Sequence, residues 1–385
     1  MAEQIRAEIA RDGAISFARF MDLALYCPHC GYYERKEDTS DSARLQRGTP
    51  GKRGDFYTSV SVGPLFGELL AFQFEEWLKA LVIGDCALVI AEAGAHDGRL
   101  ANDILTWLRS RRAELFERIE YRIIEPSARR QQWQKESLKE FAPRVQWHAS
   151  LITPPPLARS SVTSHASRVT GIIFSNELLD SFPLHRFGWD AKRREWFEWG
   201  VAQERNQFVW TRIPNVSAIC NLQSAIGDLP RELLAALPDG FTTEICPAAE
   251  NWWREAAGAL KHCRLLTLDY GLNAEEVFAP HRANGTLRAY HRHCLSGDVL
   301  ANPGEQDLTA HVNFTALQRA GEAAGLETES LLTQSQFLTR IAQGRWKAEA
   351  DLGIWTGDRT RQFQTLTHPQ HLGRAFRVLI QSRGA

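Results

Sequence analysis

No apolar run in the 385-residue chain approaches the roughly 18 residues that a membrane-crossing helix needs, so helical insertion into a bilayer is not expected. An excess of either charge is missing too. The 45 Lys and Arg offset 46 Asp and Glu to a net charge of -1, which gives no global field to attract nucleic acid. Cysteine is sparse, scattered and odd in number at seven, a usage that suits a reducing compartment better than a disulfide framework. The stretch Met1–Arg11 lacks the apolar core of a signal peptide, and its acids are out of place in a transit peptide. A cytoplasmic, bacterial protein is expected.

What the chain does contain is an alternation of apolar runs and amphipathic segments. The length allows two to three units, or one principal domain with a large insertion. Residues Ala87–Leu105 read as strand, loop and helix: an apolar run meets Glu92, then the small-residue turn Ala93-Gly94-Ala95-His96-Asp97-Gly98, then an amphipathic segment. Further strands are expected at Tyr121–Glu125, Val145–His148, Gly171–Ser175, Arg264–Asp269 and Phe376–Ile380, with helices between them. That order implies an α/β fold with a parallel sheet. Ahead of it, residues 3–12 and 16–25 read as short helices, the second capped by Ser16. The expected division is an N-terminal helical lid with a Gly-Asp-Phe-Tyr-Thr-Ser loop over 1–80, a core over 81–183 and 241–385, and an inserted subdomain over 184–240.

Cys27-Pro28-His29-Cys30 has the spacing of a redox or zinc motif, yet it follows a helix rather than a strand and no second CxxC or HxxxH stands nearby. It reads as a turn holding two thiols, and no metal site is expected. The stronger signal is a set of acids at strand ends: Glu92, Glu125, Glu177 beside Asn176, and Asp269. In a parallel sheet these carboxyl ends share one mouth. A nicotinamide dinucleotide is disfavoured, because G-x-G-x-x-G is absent and Glu92 would face a pyrophosphate. Carboxylates there suit a cationic ligand such as S-adenosylmethionine, with Glu125 accepting from both ribose hydroxyls.

The segments Ile15–Met21, Gly31-Tyr32-Tyr33, Gly54-Asp55-Phe56-Tyr57-Thr58-Ser59, Phe66-Gly67-Glu68, Glu92-Ala93-Gly94, Ser175–Asp180, Asp269-Tyr270-Gly271, Gly285–Tyr290 and Gly304–Thr309 resemble the MidA family of S-adenosylmethionine-dependent methyltransferases. Mitochondrial members of that family dimethylate an arginine of a complex I subunit during assembly. The resemblance implies a seven-stranded Rossmann-like methyltransferase sheet with Asp55, Thr58, Ser59, Glu92, Gly94, Gly98 and Glu125 around S-adenosylmethionine. It also implies a protein substrate, a respiratory-complex subunit or its bacterial equivalent; if the acceptor is arginine, Glu177 with Asp180 is expected to clasp its guanidinium, and Asn176 beside Glu177 completes the expected catalytic set. One departure stands out. Where the family has a central glycine in its loop this chain has His96, preceded by Ala95 in place of a common proline. A side chain there favours an alternative, a non-catalytic assembly or binding protein built on the same fold.

Overall fold

The computed structural model describes residues 1–35, 58–80, 88–151, 169–214, 222, 226, 230–291, 294–347 and 355–384. Residues 36–57, with the Gly54–Tyr57 part of the Gly-Asp-Phe-Tyr-Thr-Ser motif, and residues 152–168 lie outside the described residues. In chain order, the helices used below are α1 (Ala2–Asp12), α2 (Phe17–Tyr26), α3 (Leu65–Ala80), α4 (Arg99–Arg111), α5 (Ala128–Ser137), α6 (Pro247–Gly258), α7 (Phe314–Ala323), α8 (Gln334–Lys347) and α9 (Gly357–Thr367). The strands are β1 (Leu88–Ala93), β2 (Ile119–Ile124), β3 (Val145–His148), β4 (Val169–Asn176), β5 (His185–Asp190), β6 (Glu195–Glu204), β7 (Gln207–Ile213), β8 (Thr242–Ile245), β9 (Leu260–Leu272), β10 (Arg288–His291), β11 (Cys294–Ser296), β12 (Gln306–Thr309), β13 (Glu327–Thr333) and β14 (Phe376–Arg383).

The chain divides into two compact units. One comprises Tyr57–Leu179, Ala249–Gly271 and Phe314–Ala385. Its sheet runs β3-β2-β1-β4-β9-β14-β13, with the first five strands parallel and β14 antiparallel to both neighbours. All six residues of β1 are buried, as a central parallel strand covered on both faces requires. Helix α4 turns Leu100, Ile104 and Leu108 inward at four-residue spacing, each burial contributing about 1.5–3 kcal/mol. Against it lies α3, where a Cβ on Gly67 would come 2.6 Å from Asp103 Cβ, so glycine lets the two helices approach. Because β1 pairs with β2 on one side and β4 on the other, the direction of strand addition reverses at β1. In open α/β sheets the ligand crevice opens at the carboxyl ends beside such a reversal.

The other unit comprises Met1–Phe56, Asp180–Ala248 and Leu272–Asn313. Strands β5 to β8 form an antiparallel sheet that Ile15-Ser16 completes by pairing with Val201 and Gly200 of β6. The expected 184–240 insertion therefore shares its sheet with residues 15–16 and 242–245, and the expected 1–80 lid is split, its last part, α3, belonging to the parallel-sheet unit. Ser16 caps α2 as its type suggests, accepting from Arg19 N–H at 3.2 Å. Aromatic rings supply much of this core, with Phe17 against Trp210 at 5.0 Å and Trp189 against Trp196 at 5.2 Å. A second, three-stranded sheet, β11-β10-β12, holds the Gly285–Tyr290 and Gly304–Thr309 segments. Gly285, at φ +71°, sits where a Cβ would strike the buried Glu244 carboxylate, and that carboxylate accepts from Thr286 N–H at 2.8 Å.

Candidate functional site at the carboxyl edge of the parallel sheet

Four acids stand at the carboxyl ends of four adjacent strands, β2, β1, β4 and β9. Glu92 leaves β1 fully inside the protein, with 2% of its surface exposed, and Tyr121 of β2 donates its hydroxyl to Glu92 Oε2 at 2.6 Å. Burial pushes the Glu92 carboxyl up to about 7 against the opposing effect of the tyrosine hydrogen bond. It is poised to exchange a proton near neutrality.

The loop after β1 uses three left-handed residues, Gly94 at φ +72°, His96 at +46° and Gly98 at +83°. A Cβ on Gly94 would lie 2.7 Å from Leu178 Cδ1, and one on Gly98 would lie 2.8 Å from Ser137 Oγ, so both glycines serve close approach as well as backbone shape. His96 adopts the conformation that a glycine would take freely. Its side chain is 56% exposed, so the ring does not fill the loop. Burial raises the Asp97 carboxyl, but the His96 ring and the Arg99 N–H beside it outweigh that and hold it at about 2.

Glu125, one residue beyond β2, is buried and accepts from Ser127 N–H at 3.0 Å and from Gln134 Nε2 at 3.3 Å, with Arg130 Nε at 3.4 Å. Gln134 of α5 is a residue that the sequence did not single out. Wholly buried, it donates to Glu125 and to the His96 carbonyl at 3.1 Å, while accepting from Trp147 Nε1 at 3.1 Å. One amide thus ties the first loop to the end of the second strand.

At the end of β4 the backbone turns sharply at Glu177, whose φ of +51° costs about 1–2 kcal/mol more than it would for glycine. Two features hold it there. Glu177 N–H bonds to the Leu268 carbonyl at 2.9 Å, and the fully buried Asp269 carboxylate accepts from Leu178 N–H at 3.2 Å, Leu179 N–H at 2.8 Å and Tyr270 N–H at 2.8 Å. Glu177 Oε1 accepts from Ser59 N–H at 3.0 Å and Asn176 Nδ2 at 3.1 Å. Ser59 is itself anchored by its hydroxyl, which donates to Gln334 Oε1 at 3.1 Å.

The structure therefore brings Ser59, Glu92, Gly94, Gly98, Glu125, Asn176 and Glu177 to one sheet edge, with Thr58 adjoining Ser59. Asp55 lies outside the described residues. Asp180 belongs to the other unit, where it is buried and its carbonyl accepts from Ala310 N–H at 2.9 Å. Among the described residues no group of three or more His, Cys, Asp or Glu is arranged to hold a metal.

A family model for S-adenosyl-L-methionine-dependent methyltransferases matches residues 69–332, well over half of the chain. The chain belongs to this methyltransferase family, the MidA-like one. A COG1565 superfamily member from Burkholderia thailandensis, solved bound to S-adenosyl-homocysteine, is 30% identical to this methyltransferase, with a TM-score of 0.79 over 100% of this chain and 92% of that one. The Drosophila melanogaster protein arginine methyltransferase NDUFAF7 homolog is 26% identical across 100% of this chain and 85% of its own length. Human protein arginine methyltransferase NDUFAF7 is also 26% identical, over 84% of this chain and 69% of its own length. S-adenosylmethionine is the cofactor of this methyltransferase. The close-approach glycines and the buried Glu125 carboxylate at the crevice fit such a group, whose hydroxyls need an acceptor and whose bulk needs an uncluttered loop.

Proposed function

We propose that this methyltransferase modifies an arginine side chain of a protein, with Glu177 as the catalytic residue. The observation that carries the proposal is the held geometry of Glu177: a left-handed backbone, two donors on one carboxylate oxygen, and a position on the same sheet edge as Glu92 and Glu125. The names of the 26% identical relatives support the choice of arginine.

In this reading Glu125 accepts from the cofactor's ribose hydroxyls, while Gly94, Gly98, Thr58 and Ser59 frame it, Asp55 joins them, and Glu92 faces its cationic end. S-adenosylmethionine, when bound, supplies a methyl group on a positively charged sulfur. The Glu177 carboxylate accepts from the incoming guanidinium and draws its positive charge toward one side, which leaves the opposite nitrogen the better nucleophile. Asn176 and the Ser59 N–H fix the carboxylate plane, so the guanidinium arrives in one orientation. The bound cofactor would supply that methyl to the nitrogen facing it, and the carboxylates of the site would take the proton that the nitrogen sheds or hand it to water.

The test is transfer of labelled methyl from S-adenosylmethionine to protein in a bacterial lysate, followed by acid hydrolysis and identification of the modified amino acid. Methylarginine that disappears with Glu177→Gln supports the reading. Label on lysine or on small molecules overturns the arginine assignment, and no label with intact cofactor binding favours the non-catalytic binding protein.

A further inference from the structure

The Cys27-Pro28-His29-Cys30 segment plays no part in the site above, yet its geometry is specific. Helix α2 ends at Cys27, whose N–H bonds to the Leu23 carbonyl at 3.3 Å. The chain then folds back, with Cys30 N–H and Gly31 N–H both donating to the Cys27 carbonyl, at 3.2 and 2.8 Å. Such a four-residue turn keeps its first and last Cα atoms within about 7 Å, inside the range a disulfide spans. Gly31 clamps the turn onto the helix end: a Cβ there would lie 2.6 Å from Cys27 N and from the Leu25 carbonyl oxygen. The two Sγ atoms are 3.4 Å apart, and Gln4 Oε1 accepts from the Cys27 thiol at 3.3 Å.

We propose that Cys27 and Cys30 form a thiol–disulfide exchange site that takes low-molecular-weight disulfides such as oxidised glutathione. Cys30 is the more exposed of the two and Cys27 is buried, which assigns their order of reaction. The Cys30 thiolate attacks one sulfur of the incoming disulfide, forming a mixed disulfide and releasing one thiol. The Cys27 thiolate then attacks Cys30 Sγ, forming the internal bond and releasing the second thiol. The protein loses two protons and two electrons, and the external disulfide is reduced to two thiols. Burial raises the Cys27 thiol, but the backbone of His29 and Cys30 and the Cys30 thiol bond to it and leave it below the ordinary cysteine value, as the second attack needs. Closure draws the sulfurs from 3.4 Å to about 2.0 Å.

The experiment exposes the full chain to oxidised glutathione, quenches with acid, blocks remaining thiols with a maleimide and examines the tryptic peptide Phe20–Arg35, which holds both cysteines. The expected peptide has lost two hydrogens, carries no maleimide, and regains both thiols with a reductant. Closure is expected to be faster in the folded chain than in urea, and Cys27→Ser is expected to leave glutathione on Cys30. Maleimide on both cysteines, glutathione persisting on wild-type Cys30, a bond to any other cysteine, or equal closure rates folded and unfolded would overturn the proposal.

Discussion

At the scale of single residues, Glu92 makes the sharpest commitment. Folding raises its pKa to about 7, so the folded chain keeps a proton that the unfolded chain has given up. The stability this proton contributes is complete below the ordinary carboxylate value of about 4.3 and is lost as pH rises through about 7. Glu92→Gln should therefore gain stability relative to wild type between about pH 5 and about pH 8, on the order of 2 kcal/mol, read from urea midpoints. A difference that does not change with pH would contradict the buried, raised carboxyl. The same group predicts that S-adenosylmethionine binds more tightly as pH rises through about 7, with the slope gone in Glu92→Gln, because a cationic ligand favours the carboxylate. His96 makes a second commitment. Its left-handed backbone and exposed ring predict that His96→Gly changes stability by less than about 1 kcal/mol, whereas His96→Val costs about 1–2 kcal/mol in thermal unfolding.

Between elements, two buried polar side chains do what no strand or helix does alone. Gln134 joins α5 to the first loop, to Glu125 and to Trp147, and Asp269 of β9 gathers three backbone N–H groups around the turn that carries Glu177. Gln134→Ala should cost about 1–3 kcal/mol in chemical denaturation, because it leaves buried partners unpaired. Asp269→Asn puts an amide where N–H donors converge. It should lower stability by about 2 kcal/mol and reduce methyl transfer more than cofactor affinity, since the turn it releases carries Glu177 rather than the cofactor loop. A larger loss in cofactor affinity than in turnover would contradict that placement. Elements themselves were legible in sequence. Ser16 caps α2 as its type and position suggest, and the apolar runs at 88–93, 121–124 and 172–174 are central strands. Gln134 and Tyr121 were not, because a lone amide on a polar helix and a tyrosine within a strand acquire meaning only from their partners in the fold, His96, Glu125 and Trp147 for the one and Glu92 for the other. Gly285-Thr286 reads in sequence as one segment of the family resemblance, and in the structure it is a fixture for the buried Glu244.

Over the whole molecule, hydrophobic patterning plus the parallel βαβ rule anticipates an α/β fold with a parallel sheet, whereas the methyltransferase sheet was anticipated only from the family resemblance. The unit boundaries could not. The antiparallel sheet draws on residues 15–16, 185–213 and 242–245, and pairing across such separations leaves no periodic mark in the chain. The acids of the candidate site were legible in outline because they end strands, while the means of holding them came from other parts of the same unit. That division of labour yields the most direct test of the account: S-adenosylmethionine affinity by calorimetry and methyl-transfer turnover, measured together for wild type, Glu125→Gln and Glu177→Gln. Cofactor affinity should fall by about tenfold or more in Glu125→Gln, whereas Glu177→Gln should keep it within about twofold and lose turnover by about 100-fold. Wild-type protein that does not bind S-adenosylmethionine, or a Glu177→Gln variant with undiminished turnover, would contradict it.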